Sequence, residues 1–274
     1  MDDYIRLKKS NCKNCYKCIR NCPVKSIRFS DHQANIVPDE CILCGRCFVA
    51  CPQNAKEVRD DLPAARALLA SGAPVYASVA PSFVAAWEGV TISSMEAALK
   101  QLGFAGAEET ALGATMVKTE YEHLTAAGEQ EVIVSTCCHT VNLLVQKHFP
   151  EVLPALAKVV SPMQAHCRDL KRQHPGCRTV FIGPCISKKD EAESYPGIVD
   201  CVLTFEELSA WLEQAGVTLE AGTDGNRESR ARLFPTTGGI LRTMAERNPD
   251  YAYLAVDGID NCITALRDIA GGPM

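Results

Sequence analysis

The chain has 274 residues, 47% of them apolar, with a formal net charge of -5 and a pI near 5.7. That length and apolar content suffice for one large or two modest packed domains, which excludes a disordered chain, and the acidic balance excludes a nucleic-acid partner. No apolar run approaches the roughly 20 residues that cross a bilayer, and "MDDYIRLKKSNC" at the amino terminus lacks a signal-peptide core, so no membrane partner and a cytoplasmic setting are expected.

Fifteen cysteines in a reducing compartment point to metal or redox chemistry rather than to disulfides. After the short basic run Arg6 to Lys9, which reads as solvated surface, "CKNCYKCIRNCP" from Cys12 is repeated 29 residues later by "CILCGRCFVACP" from Cys41. Both read C-x2-C-x2-C-x3-C-P, the bacterial two-cluster ferredoxin spacing, in which the fourth cysteine of each run ligates the other cluster. One 4Fe-4S cluster is therefore expected on Cys12, Cys15, Cys18 and Cys51, and a second on Cys41, Cys44, Cys47 and Cys22. Three thiolates two residues apart can wrap a cubane's corner, and the crossed fourth ligand ties together a segment whose apolar core alone is marginal. A pair of zinc knuckles is the alternative, but zinc has no use for two such four-cysteine runs. Between the runs, "KSIRFSDHQANIVPDE" alternates around a polar turn and predicts a hairpin.

Near Arg59 the composition changes, and the chain divides into a small α+β ferredoxin-like domain over 1–59 and a longer α/β domain over 60–274. A helix is expected in "LPAARALLAS". Beyond it "PVYASVA", "EVIVST", "RTVFIG", "CVLT" and "YAYLAV" read as strands alternating with helices such as "SMEAALKQLG" and "FEELSAWLEQAG". Ser93 with Glu96 and Thr204 with Glu207 have capping-box spacing, and Gly103 and Gly216 sit where helices end. In such sheets ligands bind beyond the carboxyl ends of the strands. There the sequence places Ala80, Pro81 and Ser82, then Cys137 and Cys138, then Gly183, Pro184 and Cys185, then Asn261 and Cys262. The adjacent thiols of "VIVSTCCHT" suit metal ligation, because neighbouring cysteines rarely reach disulfide geometry. Gly238 and Gly239 allow either a tight turn or a close approach of backbone to a bound group.

Behind a two-cluster ferredoxin unit, "VAPS", "STCCH", "GPCISKKDEA" and "TTGGILR" in this order resemble the iron-iron (FeFe) hydrogenase large-subunit family, and most its short sensory type; the resemblance runs from about Asn11 to Leu266. It implies a third 4Fe-4S cluster joined to a di-iron unit, together the H-cluster, with hydrogen and protons as substrates and a redox partner protein. Cys138 and Cys185 match ligands of that cubane. Cys137 matches a proton-carrying thiol, Lys188 a lysine donating to a cyanide, and Ala80, Pro81 and Ser82 the wall near the other cyanide. Two adjacent thiols can then divide the work, one holding metal as thiolate and its neighbour carrying a proton.

Glu120 and Glu122 read as helix surface charges, with onward proton transfer the alternative. His139 replaces the family's usual proline and Gly183 its usual methionine. The family's closing "ACxGGC"-like block is not in the sequence, so the longer domain is expected to be C-terminally incomplete, or else a variant without the catalytic centre. Cys167, Cys177, Cys201 and Cys262 read as small buried or incidental thiols, with metal ligation the alternative for Cys262, which lies closest to the missing block. The expectation is an electron-transfer protein of hydrogenase type, oxidising or sensing hydrogen in its complete form, with a non-catalytic relative in electron transfer or protein interaction as the alternative.

Overall fold

The computed structural model describes residues 4–223 and 230–271. The backbone forms two compact units, one gathering 1–59, 134–157 and 256–274, the other 60–133 and 158–255. The break at Arg59 coincides with the change in composition, but two later segments join the first unit.

Four short strands open the first unit: β1 (Ile5–Leu7), β2 (Ile27–Ser30), β3 (Gln33–Ile36) and β4 (Lys56–Val58). β1 pairs antiparallel with β4, and β2 with β3 as the expected hairpin. Its two turn residues, Asp31 and His32, both have positive φ, 51° and 59°, as a turn that matches strand twist requires. The repeat seen in the sequence is a repeat of backbone. Asn14, Tyr16 and Lys25 have left-handed φ of 54°, 59° and 56°, and 29 residues on Leu43, Gly45 and Asn54 have 55°, 70° and 48°. A left-handed leucine or tyrosine is unfavourable by about 1–2 kcal/mol, so each cysteine loop carries strain, at Tyr16 in the first and at Leu43 in the second, where the other copy has the more tolerant Gly45 and Asn14. Each loop runs into a short helix, Lys17–Asn21 or Arg46–Val49.

The second unit carries a four-stranded parallel sheet of β5 (Val75–Val79), β6 (Gly106–Glu109), β7 (Arg178–Ile182) and β8 (Cys201–Leu203), in the order β6-β5-β7-β8. Helices cover it, and Val79, Phe83, Met95, Leu99, Ile182 and Leu208 are fully buried in its core. Gly113 lets the helix Ala111–Ala127 touch the helix Pro162–Gln173, since a Cβ there would strike Pro162 and His166. The helix Phe205–Ala215 has the expected capping box, Thr204 with Glu207, and ends on left-handed Gly216. No helix among the described residues is long and apolar enough to cross a membrane.

Three local expectations are corrected. "EVIVST" is not a strand: Val134 makes one isolated bridge to Leu156. "YAYLAV" is loop as well, its tyrosines spending their hydroxyls on the carbonyls of Gln130 and Asn248. The edge strand is instead β6, "GAEE", which carries no β-branched residue; Gly106 packs so closely under the Tyr76 ring that a Cβ there would lie 3.0 Å from it. At the helix Ile92–Gln101 the cap is Thr91, accepting from the Ser94 backbone N–H at 3.2 Å, rather than Ser93.

Candidate metal centres and sheet-edge loops

In the first unit the eight cysteines of the two runs line two cavities. Cys12, Cys15, Cys18 and Cys51 face one, and Cys22, Cys41, Cys44 and Cys47 face the other. Each ring takes three thiols from one run and the fourth from the other. Each ring offers four thiols, the number that a 4Fe-4S cubane takes.

The electrostatics repeat the crossing. Burial pushes the thiols of Cys18, Cys41, Cys44 and Cys47 above the ordinary range, Cys47 to about 12. Repulsion from neighbouring thiolates adds to this: Cys12 and Cys51 act on Cys18, while Cys22 acts on Cys41, Cys44 and Cys47. Backbone N–H groups point at the sulfurs, from Ser26 to Cys22 at 3.3 Å and, at the equivalent place, from Ala55 to Cys51 at 3.3 Å. Such donors stabilise thiolates and their clusters.

Lys56 and Lys147 were not anticipated from the sequence. Lys56 is buried beside the first ring. Lys147 donates to the carbonyls of Pro38 and Cys41, and His148 Nε2 lies 2.8 Å from the carbonyl of Glu40, so the helix His139–His148 ends on the second cysteine loop. The signal for Lys56 was present in the repeat, where it aligns 29 residues on from Ile27. None existed for Lys147, whose contacts span more than a hundred residues.

Cys137 and Cys138 belong to the same unit. They lie not at a strand end, as expected, but in a loop before the helix His139–His148, with Cys138 its N-cap. Asn142 Nδ2 fastens that loop through the Thr136 carbonyl at 3.0 Å, while its buried Oδ1 finds no donor among the described residues. His139 is buried, 4% exposed, in the first turn. Cys262, on the helix Ile259–Ala270, has its thiol pushed up by burial and then by the charge of Cys138, which places the two sulfurs within electrostatic reach.

In the second unit, Ala80, Pro81 and Ser82 leave the carboxyl end of β5, and Gly183, Pro184 and Cys185 leave that of the adjacent β7. The Ala80 N–H donates to the Ile182 carbonyl at 2.8 Å, which locks the two loops side by side. At Gly183 a Cβ would lie 2.7 Å from the Phe181 ring and 3.0 Å from Ala80. Phe181 thus fills the space a methionine side chain would need. Cys185 Sγ lies 3.0 Å from Ser187 Oγ. Lys188 Nζ is engaged by the buried Glu191, whose other oxygen accepts from Gln164 at 3.2 Å. Glu122 pairs with Lys118 and accepts the Ala245 N–H at 2.6 Å, which makes it a clamp on a loop; Glu120 is exposed. Gly239 approaches the backbone of Leu233, so the paired glycines serve a tight turn. Cys167, Cys177 and Cys201 are buried, with Cys167 and Cys201 pushed by burial to about 12.

For a third cubane with a di-iron unit, the donor set falls short. Cys138 and Cys185 are two thiols in two different units, Cys262 is at most a third, and a cubane takes four thiolates. The residues present do not fit that group, and no chemical step is assigned to it.

The C-terminal domain of the iron-only hydrogenase large subunit matches residues 73–272, and a 4Fe-4S dicluster domain matches residues 4–64. Iron hydrogenase 1 of Clostridium pasteurianum is 25% identical over 215 residues, which are 69% of this chain and 38% of that protein. The cytosolic Fe-S cluster assembly factor NAR1 of Kluyveromyces lactis is 33% identical over 155 residues, 49% of this chain and 33% of that protein. The chain thus spans well under half the length of either relative. Among solved structures, a variant of the FeFe-hydrogenase HydA1 from Chlamydomonas reinhardtii superposes with a TM-score of 0.54 at 21% identity, covering 74% of this chain and 63% of that one. At such identity the likeness is one of fold.

Proposed function

We propose, for a chain that belongs to the iron-only hydrogenase large-subunit family, that its first 59 residues hold two 4Fe-4S clusters and relay single electrons between a redox partner protein and residues 60–274. Cys12, Cys15, Cys18 and Cys51 hold one cluster; Cys41, Cys44, Cys47 and Cys22 hold the other. The observation that carries this reading is the crossed lining of the two cavities. The clusters, when bound, supply one-electron transfer. The chain's own residues hold the sulfurs, direct backbone N–H groups at Cys22 and Cys51, and support the second loop through Lys147. A cytoplasmic setting, where thiols stay reduced, suits such a centre.

Serine variants test the assignment. After anaerobic reconstitution, Cys51→Ser should remove the cluster of the first run and Cys22→Ser that of the second, read by EPR of the reduced protein. The opposite pattern, each serine removing the cluster of its own run, rejects the crossing.

A second reading, hydrogen oxidation, proton reduction or hydrogen sensing, is favoured by the side-by-side loops Ala80–Ser82 and Gly183–Cys185 at the sheet edge. The residues that match it are Cys138 and Cys185, two of the four thiolates a cubane takes, with Cys137 as proton carrier, Lys188 as donor, and Ala80, Pro81 and Ser82 as wall. Infrared bands of bound carbon monoxide and cyanide after maturation, with hydrogen uptake or evolution, support it. Their absence supports a non-catalytic role in electron transfer or protein interaction, in keeping with relatives named for iron-sulfur cluster assembly.

A further inference from the structure

Strand β4 places Lys56 in the interior of the first unit, 3% exposed. Its Nζ donates to the Ala34 carbonyl at 2.7 Å. An ammonium has three N–H donors, and among the described residues no carboxylate pairs with this one. A buried charge without a counter-charge is costly, so an anion is expected nearby. The surroundings name the candidates. Lys56 lines the cavity of Cys12, Cys15, Cys18 and Cys51, and β4 packs on the helix Arg46–Val49 that carries Cys47 of the other ring. After burial, its charge is the largest influence on the thiols of both Cys18 and Cys47, one from each ring.

The internal repeat shows that packing does not demand a cation here. Counting back 29 residues from Lys56 reaches Ile27, buried to 5% and plainly apolar. One half of the repeat thus fills this position with a hydrocarbon, the other with a positive charge.

We propose that Lys56 is a fixed positive charge shared by the two clusters, which raises the reduction potential of both. The inference rests on the two-cluster reading above. Each cluster takes up one electron from an external one-electron reductant such as dithionite, and no bond to Lys56 forms or breaks. The reduced cluster carries one more negative charge, and a cation shielded from water favours it strongly. Because one ammonium lines the cavity of the first ring and its charge reaches Cys47 of the second, both potentials rise, which lets an electron pass between the clusters in either direction. A charge felt by only one ring would drive them apart.

The test is an EPR-monitored redox titration of the reconstituted chain, with iron content measured first. Lys56→Met is expected to lower both midpoints by about 59 mV, a tenfold change in a one-electron equilibrium constant. Lys13, exposed and lining the same first cavity, is the control: water screens its charge, so Lys13→Met should shift the midpoints far less. Unchanged midpoints in Lys56→Met, or a shift no larger than the control's, overturns the proposal, and a fall at one cluster alone overturns the sharing. Should Lys56→Met fail to hold clusters, Lys56→Gln keeps a donor for Ala34 without the charge, and Lys56→Arg keeps the charge. The glutamine variant should be lowered and the arginine variant close to the unaltered chain; equal midpoints in both refute the proposal. A chain that takes up no iron sinks the two-cluster reading itself, an outcome distinct from clusters with unmoved potentials.

Discussion

The Nζ of Lys147 lies 2.7 Å from the carbonyl oxygen of Cys41 and 3.1 Å from that of Pro38. This fastens the carboxyl end of the helix His139–His148 to the loop that begins the second cysteine ring. The same helix opens at Cys138, ten helical residues and about 15 Å away, so one rigid element joins the cluster loop to the adjacent thiols. Hydrogen bonds from a charged donor are worth about 1.5–3 kcal/mol. Lys147→Met is therefore expected to loosen the second ring, and iron release to a chelator should speed up from that cluster while the first is little changed. Equal release from both would argue against a local tie.

Lys189 is buried with both carboxylate oxygens of Glu207 at 2.9 Å, Asp61 at 2.8 Å and the Val202 carbonyl at 3.1 Å. It pins the residues just after Arg59 to the sheet. Lys189→Met takes the buried ammonium away from two carboxylates and should cost about 3–5 kcal/mol. Both tryptophans, Trp87 and Trp211, lie in the second unit, so urea unfolding followed by their fluorescence reads the loss there.

At the edge of β7, Gly183→Ala forces a methyl group against the Phe181 ring. Overpacking of this kind costs about 1–3 kcal/mol. The penalty should shrink in a Phe181→Leu background, and the coupling in a double-mutant cycle measures the contact directly. Additive effects would mean that the ring is not what Gly183 accommodates.

Burial opposes the charge of Asp200, but Lys171 at 2.7 Å, the Thr179 backbone N–H at 2.8 Å and Arg178 outweigh it and hold the carboxyl below its usual range. A lowered carboxylate contributes stability above its unfolded pKa of about 3.9 and loses it as the pH falls through the folded value. Asp200→Asn should thus be less stable than the parent at about pH 7, with the gap closing towards about pH 3. Urea midpoints measured across that span check the sign, and a gap independent of pH would show that the charge is not the cause.

Much of the first unit was legible because its rules are local. Cysteine spacing, the hairpin around Asp31 and His32 and the crossed rings all follow from short stretches and one repeat. The helix Phe205–Ala215 was legible for the same reason, its box and glycine stop lying within thirteen residues. What stayed hidden depends on partners far along the chain. Strand β6 has weak intrinsic strand preference and exists because β5 pairs with it, whereas "EVIVST" has strong preference and no neighbouring strand. Segments 134–157 and 256–274 join the first unit through contacts such as Arg46 with Asp260, 2.7 Å apart and 214 residues distant in sequence. Lys56 is hidden for another reason: its burial shows in the sequence only through the repeat, which aligns it with the apolar Ile27.

The most direct measurement of the central claim is the count of iron and acid-labile sulfide per chain after anaerobic reconstitution, paired with EPR of the reduced protein. Two cubanes require about eight iron and eight sulfide, with signals lost one cluster at a time in Cys51→Ser and Cys22→Ser. Zinc bound without labile sulfide, or a single cluster that survives both substitutions, would contradict the account.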